Sequence, residues 1–155
     1  RSGIGFDAHR FAEGRRLVLG GVAIDYELGL AGHSDADVLA HAIADALLGA
    51  VSAGDIGKHF PDDDPKWKDA CSLELLRQCA EIVRTRTGKI VNVDATVIAE
   101  KPKLATYIDD MRRNLATALG VRFHAVSVKA TTVEQMGALG RGEGIAAMAI
   151  ASVDV

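Results

Sequence analysis

The C-terminal segment from Ile145 to Val153 constrains the fold more than any other stretch. Read as a strand, it puts Ile145, Ala147, Ala149, Ala151 and Val153 on one face and Ala146, Met148 and Ile150 on the other. A strand with one solvated face alternates apolar with polar residues; this one does not, so both of its faces need a cover. Helices can cover one face. Few elements remain to cover the second, so burial against other subunits is the expectation, the alternative being a strand enclosed within the monomer.

The rest of the chain reads as a single domain over residues 1–155, with no repeat, low-complexity tract or linker. Ser2–Phe6 is predicted as a strand. Leu17–Leu19, the pair Gly20-Gly21, and Val22–Ile24 predict a hairpin. A helix is predicted over Asp35–Val51, capped by Ser34 with Asp37 completing a capping box, and with Leu39, Ile43, Ala46, Leu47 and Ala50 as its apolar stripe. Gly54–Trp67 reads as a loop. Ser72–Arg86 reads as a second helix, with Leu73, Leu76, Cys79, Ala80 and Val83 inward and Gly88 beyond its end. Val91–Ala99 is a strand. Thr106–Leu119 is a third helix, with Ile108, Met111, Leu115 and Leu119 inward and Gly120 as its stop. Val126–Thr131 is a further strand.

Composition narrows the function. Aromatic residues are 5% and the formal net charge is −3, so neither a base-stacking platform nor a basic nucleic-acid-binding stripe is expected. The longest apolar run, Ile145 to Ala151, falls well short of the roughly 18 residues of a membrane span. Cys71 and Cys79 sit eight apart on one predicted helix, roughly 12 Å along its axis and too far for a disulfide. They read as two core thiols in a reducing compartment. No signal or transit pattern precedes the first motif.

Chemistry-bearing residues concentrate early. Asp7 and His9 are two apart at the end of the first strand, so both side chains leave the same face. His41 lies roughly opposite the Leu39/Ile43 stripe, flanked by Asp37 and Asp45. Two imidazoles and one carboxylate suit Zn²⁺ with an open fourth position, and equally non-haem Fe(II). His33-Ser34-Asp35-Ala36-Asp37 is an alternative ligand run, or simply an acidic helix N-terminus. Gly3-Ile4-Gly5-Phe6-Asp7-Ala8 fits the dinucleotide fingerprint only as a string, because no strand precedes it and no helix opens on its glycines. Gly140-Arg141-Gly142-Glu143-Gly144 is either a tight connection or an anion-binding turn. Thr131-Thr132-Val133-Glu134 follows a strand; there the hydroxyls can meet a diphosphate, with Glu134 needing a Mg²⁺ between itself and the phosphate, or a threonine can cap a helix.

Taken in order, the segments Gly5-Phe6-Asp7-Ala8-His9-Arg10-Phe11, Gly32-His33-Ser34-Asp35-Ala36-Asp37 with His41, Gly54-Asp55-Ile56-Gly57 with Phe60-Pro61-Asp62, Pro102-Lys103, Lys129-Ala130-Thr131-Thr132 with Glu134, and Gly140-Arg141-Gly142-Glu143-Gly144 resemble the 2-C-methyl-D-erythritol 2,4-cyclodiphosphate synthase family over essentially the whole chain. The resemblance implies a two-layer α+β subunit, a mixed β-sheet with helices on one face, and a homotrimer whose sheets pack around a three-fold axis with active sites at subunit boundaries. It implies Zn²⁺, or another divalent transition metal, on Asp7, His9 and His41, and Mg²⁺ or Mn²⁺ carried by Glu134 at the diphosphate. His33 and Ser34 would bind the 2-phosphate region, and His33 and Thr132 would steady the transition state. Asp55, Ile56, Gly57, Phe60, Pro61, Asp62 and Asp63 would line the substrate. Ala99, Glu100, Lys101, Pro102, Lys103, Leu104 and Ala105 would hold cytosine, largely through backbone groups. Thr131, Val133 and Arg141 complete the implied substrate-binding set.

The implied reaction is an intramolecular attack of a 2-phosphate on the β-phosphorus of a cytidine diphosphate ester, releasing CMP in isoprenoid precursor synthesis. An isoprenoid diphosphate in the trimer-axis cavity is a further implied partner. The implied setting is bacterial cytoplasm or, after processing, plastid stroma. Two departures stand out: Ala138 where members often carry an aromatic residue, and His59 where an apolar one is common. The rival readings are a zinc phosphohydrolase and a non-catalytic trimeric module that binds an isoprenoid.

Overall fold

Strand β1 runs from Ser2 to Ala12 in the structure, a computed structural model that describes residues 1–86 and 88–155. It is longer than the Ser2–Phe6 expected, because Asp7, His9 and Phe11 continue the ladder with the C-terminal strand and beyond. A hairpin follows, β2 (Leu17–Leu19) and β3 (Val22–Ile24), in antiparallel register Leu17↔Ile24 and Leu19↔Val22. Its turn is Gly20-Gly21 at φ +57° and +72°, the left-handed pair that a two-residue hairpin requires.

After β4 (Gly29–Leu30), helix α1 spans Val38–Ala50 and not Asp35–Val51. Ala36 at φ +57° stops the helix from extending back, so Asp37, and not Ser34, is the cap. The loop expected over Gly54–Trp67 contains a one-turn helix α2 (Ile56–His59) and a 3₁₀ turn at Pro65–Trp67. Helix α3 (Ser72–Arg86), strand β5 (Lys89–Ile98), helix α4 (Ile108–Leu119) and strand β6 (Val126–Thr131) follow. The residues ahead of α4 form a 3₁₀ turn, Ala105–Tyr107, in place of its expected first turn. Gly120 closes α4 in the left-handed conformation, as expected. A short helix α5 (Gly137–Gly140) leads into β7 (Gly144–Asp154).

The five-stranded sheet has the order β4-β1-β7-β5-β6. β5 and β6 are parallel, joined by the α4 crossover, and the other pairings are antiparallel. The sheet is therefore mixed. Helix α1 lies on β1 and β7, α3 lies on α1, and α4 lies against α3 and β6. The residues of β5, β6 and β7 that face these helices, such as Val93, Ala95, Val97, Val126, Ala147 and Ala149, are buried. Helices thus cover one face, and the subunit is the two-layer α+β fold expected.

Helix α1 is buried nearly all round, not along a stripe, because it is sandwiched between sheet and α3. Its approach to β1 is set by backbone. A Cβ on Gly5 would overlap the Ala42 carbonyl oxygen, and one on Gly3 would overlap that of Ala46. These glycines bring strand and helix together and have no nucleotide-binding geometry. On the uncovered face, Ile4 pairs with Ile150 and Phe6 with Met148, and all four are exposed in the isolated chain.

The thiols differ from expectation. Cys79 is buried, and burial pushes its thiol up to about 12. Cys71 is exposed, because it precedes the first turn of α3 and lies off that helix's inward face. Leu75, more than Leu73, fills the core from this helix.

Asp37 is wholly buried and accepts three backbone hydrogen bonds: Oδ1 from Gly20 at 2.9 Å and Ala40 at 3.0 Å, and Oδ2 from Gly21 at 2.7 Å. Burial pushes its carboxyl upward, and these N–H donors pull it back. Asp37→Ala would leave buried donors unpaired at about 1–3 kcal/mol each. A loss of at least about 3 kcal/mol is expected in urea unfolding. A change within about 0.5 kcal/mol would mean that the cap does not hold hairpin and helix together.

Candidate active site

Asp7 and His9 leave β1 on the helix-covered face, the face shared with Gly3 and Gly5. The close approach at those glycines brings α1, and with it His41, alongside. Asp7 Oδ2 stands 2.8 Å from His9 Nε2 and 3.0 Å from His41 Nδ1, and one ligand atom from each residue lies within 4.8 Å of the other two. The rings meet edge-on at 5.6 Å. The triad expected from the D-x-H spacing and the first helix is therefore assembled in one place. The rival run His33-x-Asp35-x-Asp37 is not: Asp35 is bound to Ser72, and Asp37 to the glycine turn.

Burial pushes the Asp7 carboxyl up, but hydrogen bonds from His41 and His9, with their charge, overcome it and hold the group at about 2. The hydrogen bond to Asp7 raises His9; burial opposes this, and the Asp7 charge, the Ala31 carbonyl and Asp62 add to it. His9 Nδ1 lies 2.8 Å from the Ala31 carbonyl oxygen, which can only accept, so Nδ1 carries hydrogen and Nε2 is the ligand atom. Two imidazoles and a carboxylate at this spacing are a donor set for a divalent metal.

The pH dependence follows with two signs. In the metal-free chain the raised His9 contributes stability below about 6.5, lost as pH rises through its folded value, while the lowered Asp7 contributes above about 3.8. Metal binding needs the imidazole unprotonated at its ligand atom. Raising the pH from 6 to 8 is therefore expected to lower the contribution of this pair to metal-free stability and to strengthen metal affinity. Melting curves with and without added zinc check this; a metal-induced stabilisation that shrinks over that range would contradict it.

The triad opens into a cleft of about 380 Å³ lined also by His33, Ser34, Ile56, Gly57, Phe60 and Asp62. His33 Nε2 donates to the Asp64 carbonyl at 3.2 Å. Asp55 precedes the lining residue Ile56 without lining the cleft itself, and its Oδ1 caps α2 by accepting from Lys58 N at 2.9 Å. Pro61 and Asp63 belong to the same loop without lining the cleft. His59 turns away and binds the Ala53 carbonyl. Three neighbours stand outside the expected site set, although helical spacing puts Asp45 beside His41. Asp45 lines the cleft and accepts from Ile56 N at 2.7 Å, tying α1 to α2. Trp67 stacks edge-on against Phe60 at 4.9 Å. Ser72 touches His41 across 31 residues, a separation in which no sequence signal exists.

The remaining expected residues gather elsewhere. β5 and β6 end side by side, Ile98 opposite Thr131, and Ala99 N donates to the Thr131 carbonyl at 2.9 Å. The segment from Ala99 to Ala105 thus starts against the Thr131–Glu134 turn. Glu100 Oε1 accepts from Val133 N at 3.2 Å and Gln135 N at 2.8 Å, and Thr132 Oγ1 accepts from Glu134 N at 3.3 Å. Glu134 and Gln135 are held at φ +54° and +62°. Neither threonine caps a helix, because α5 begins only at Gly137. Leu104 is buried and anchors the loop, whereas Lys101 and Lys103 are exposed and Pro102 is half-buried after a cis peptide bond. Arg141 pairs with Glu143 at 2.6 Å, and with Glu100 and Lys101 it lines a second concavity of about 510 Å³. Thr131, Thr132 and Glu134 do not line the metal cleft of their own chain.

The YgbB family model matches residues 1–154. A relative named 2-C-methyl-D-erythritol 2,4-cyclodiphosphate synthase, from Chlorobaculum tepidum, is 57% identical over 154 residues, covering 99% of this chain and 98% of its own. A CDP-bound structure of a synthase of that name has a TM-score of 0.90 and 33% identity, covering 99% of this chain and all of the other. The bifunctional IspDF from Campylobacter jejuni superposes with a TM-score of 0.93 and 45% identity over 97% of this chain, which spans 41% of that longer protein.

Proposed function

The chain belongs to the YgbB family, and on that premise we propose that it performs the cyclodiphosphate-forming step of isoprenoid biosynthesis. The substrate is 4-diphosphocytidyl-2-C-methyl-D-erythritol 2-phosphate, and the products are 2-C-methyl-D-erythritol 2,4-cyclodiphosphate and CMP. The observation that carries this reading is the Asp7–His9–His41 cluster at the head of a cleft, in a chain matched by the family from end to end.

A 2-phosphate oxygen forms a bond to the β-phosphorus, the bond from that phosphorus to the oxygen bridging to the α-phosphate breaks, and CMP leaves with the electron pair. The nucleophile is already an anion, so no general base is required. Asp7, His9 and His41 would hold a divalent ion, which we assign as zinc, and Glu134 would hold Mg²⁺ or Mn²⁺; bound there, the ions would supply positive charge at the phosphate oxygens. Everything else is positioning, which contributes about 7–11 kcal/mol in favourable intramolecular cases. His33 and Ser34 orient the 2-phosphate end, and Asp55 with the Ile56–Gly57 backbone receives the erythritol hydroxyls. Phe60, Pro61, Asp62 and Asp63 form the wall. The Ala99–Ala105 backbone holds cytosine, and Thr131, Thr132, Val133 and Arg141 attend the diphosphate.

None of the second group lines the cleft of the first, and Glu100, Lys101 and Arg141 line a separate concavity, which favours a site closed by a second copy. The exposed pairs Ile4/Ile150 and Phe6/Met148 supply an apolar face for that contact. A homotrimer with these faces around its axis completes the reading, with an isoprenoid diphosphate as a candidate occupant of the axis. No described helix is long and apolar enough to cross a membrane. Bacterial cytoplasm or plastid stroma is the setting assigned.

Incubation with the cytidyl substrate and Mg²⁺, followed by mass analysis, tests the function. CMP with the cyclic diphosphate is expected. A linear hydrolysis product would instead favour a phosphohydrolase.

Asp55 both caps α2 and faces the substrate in this reading. Asp55→Ser retains a capping oxygen and removes the carboxylate. Hydrogen bonds to a charged acceptor contribute roughly 1.5–3 kcal/mol. A KM rise of about tenfold or more at an unchanged melting temperature is therefore expected. A lower melting temperature with an unchanged KM would reduce Asp55 to a cap.

A further inference from the structure

The two imidazoles beside Asp7 present different nitrogens to it, His9 through Nε2 and His41 through Nδ1. A backbone carbonyl fixes the hydrogen of His9. Among the described residues His41 has no carbonyl partner; its Nε2 lies 2.8 Å from Ser72 Oγ and 3.2 Å from Ser34 Oγ. A hydroxyl can donate or accept, so the placement of hydrogen on His41 depends on where the Ser72 hydroxyl points.

Asp35 decides that. Its Oδ1 receives the Ser72 hydroxyl in a short hydrogen bond, and its Oδ2 accepts from Ser72 N at 3.0 Å. Asp37 N at 3.1 Å holds the carboxylate from a third direction. A carboxylate has no hydrogen to give, so the one hydroxyl hydrogen of Ser72 goes to Asp35. Ser72 Oγ is left as an acceptor towards His41, whose Nε2 therefore carries hydrogen. Ser72 is 1% exposed, so bulk water does not compete for these bonds. Although Ser72 opens α3, its hydroxyl serves residues 37 and 31 positions away.

We propose that Asp35 and Ser72 are positioning residues for the metal ligand His41: Asp35 orients the Ser72 hydroxyl, Ser72 accepts the Nε2 hydrogen, and Nδ1 is kept on the Asp7 side of the ring, where its lone pair would serve the ion. The proposal rests on the reading of Asp7, His9 and His41 as a metal centre. Outer partners of this kind change metal affinity by about 10–100-fold.

The test is zinc affinity by chelator competition on the full chain, for wild type, Ser72→Ala and Ser72→Thr. Ser72→Ala is expected to bind zinc 10–100-fold more weakly, and Ser72→Thr, which keeps the hydroxyl, to recover most of that loss. Equal affinity of wild type and Ser72→Ala overturns the proposal. A wild type that binds no zinc overturns the metal-centre reading, and the proposal with it. Nitrogen-15 NMR of the zinc-loaded wild type gives a readout independent of how the variants fold. A slowly exchanging His41 Nε2 hydrogen is expected there, and coordination of zinc through Nε2 overturns the proposal.

Discussion

His41→Ala is expected to yield a folded protein that retains no zinc and makes no cyclic product. The side chain is 12% exposed at the cleft wall, and its loss opens no sealed cavity because the cleft already reaches it. Alanine favours helix at this position, and Asp7 keeps its contact with His9. The fold should therefore lose no more than about 1–2 kcal/mol, chiefly from the Ser72 oxygen left without its donor. The metal loses one of three protein ligands. Removing even an outer partner costs about 10–100-fold in affinity, so removing a ligand should exceed the upper end of that range. Metal content after dialysis, circular dichroism melting and the CMP assay check the three parts. A purified variant with full zinc occupancy would remove His41 from the ligand set.

The second large effect concerns the closure of the site between chains. His9→Ala and Glu134→Ala are each expected to be nearly inactive alone, the first lacking a proposed metal ligand and the second the acid proposed to act at the diphosphate. In the proposed cyclic trimer each boundary would be heterologous, and each site would take its metal half from one chain and its nucleotide half from the neighbour. Co-expressed in equal amounts and mixed at random, the two variants form an intact site wherever a Glu134→Ala chain supplies the metal half and a His9→Ala chain the nucleotide half. The chance is about one half times one half, so roughly a quarter of wild-type activity should return. No return on mixing would mean that both halves act within one chain.

Much of this was legible in the sequence because local rules govern it. The Gly20-Gly21 hairpin and the Gly120 stop follow from backbone sterics at single residues, and they stand where expected. Asp7 and His9 share a face because strands alternate. The helix start departs from the capping pattern of Ser34 and Asp37 because Ala36 at φ +57° ends the helix there, and Asp37, held by the distant Gly20 and Gly21, becomes the cap. Cys71 is exposed because it stands just before α3, whose bounds, Ser72–Arg86, are those expected. Of the partners of His41, Asp7 is legible in the motif, but Ser72 is not. Ser72 is brought to both His41 and Asp35 by α3 packing on α1, and no periodicity within either segment encodes that meeting.

The glycine contact between β1 and α1 bears on how the metal site behaves when empty. Contacts between side chains can trade rotamers and drift; a contact of backbone on backbone offers no such coordinate. Asp7 and His41 are carried on the two members of that contact, each within a few residues of it. The span between them is thus a property of the frame, with the ligand as a guest of fixed lodging. Loss of the ion should leave the vacancy at its original calibre. Exchange of one divalent ion for another would then be governed by radius and preferred geometry, with little accommodation from the host.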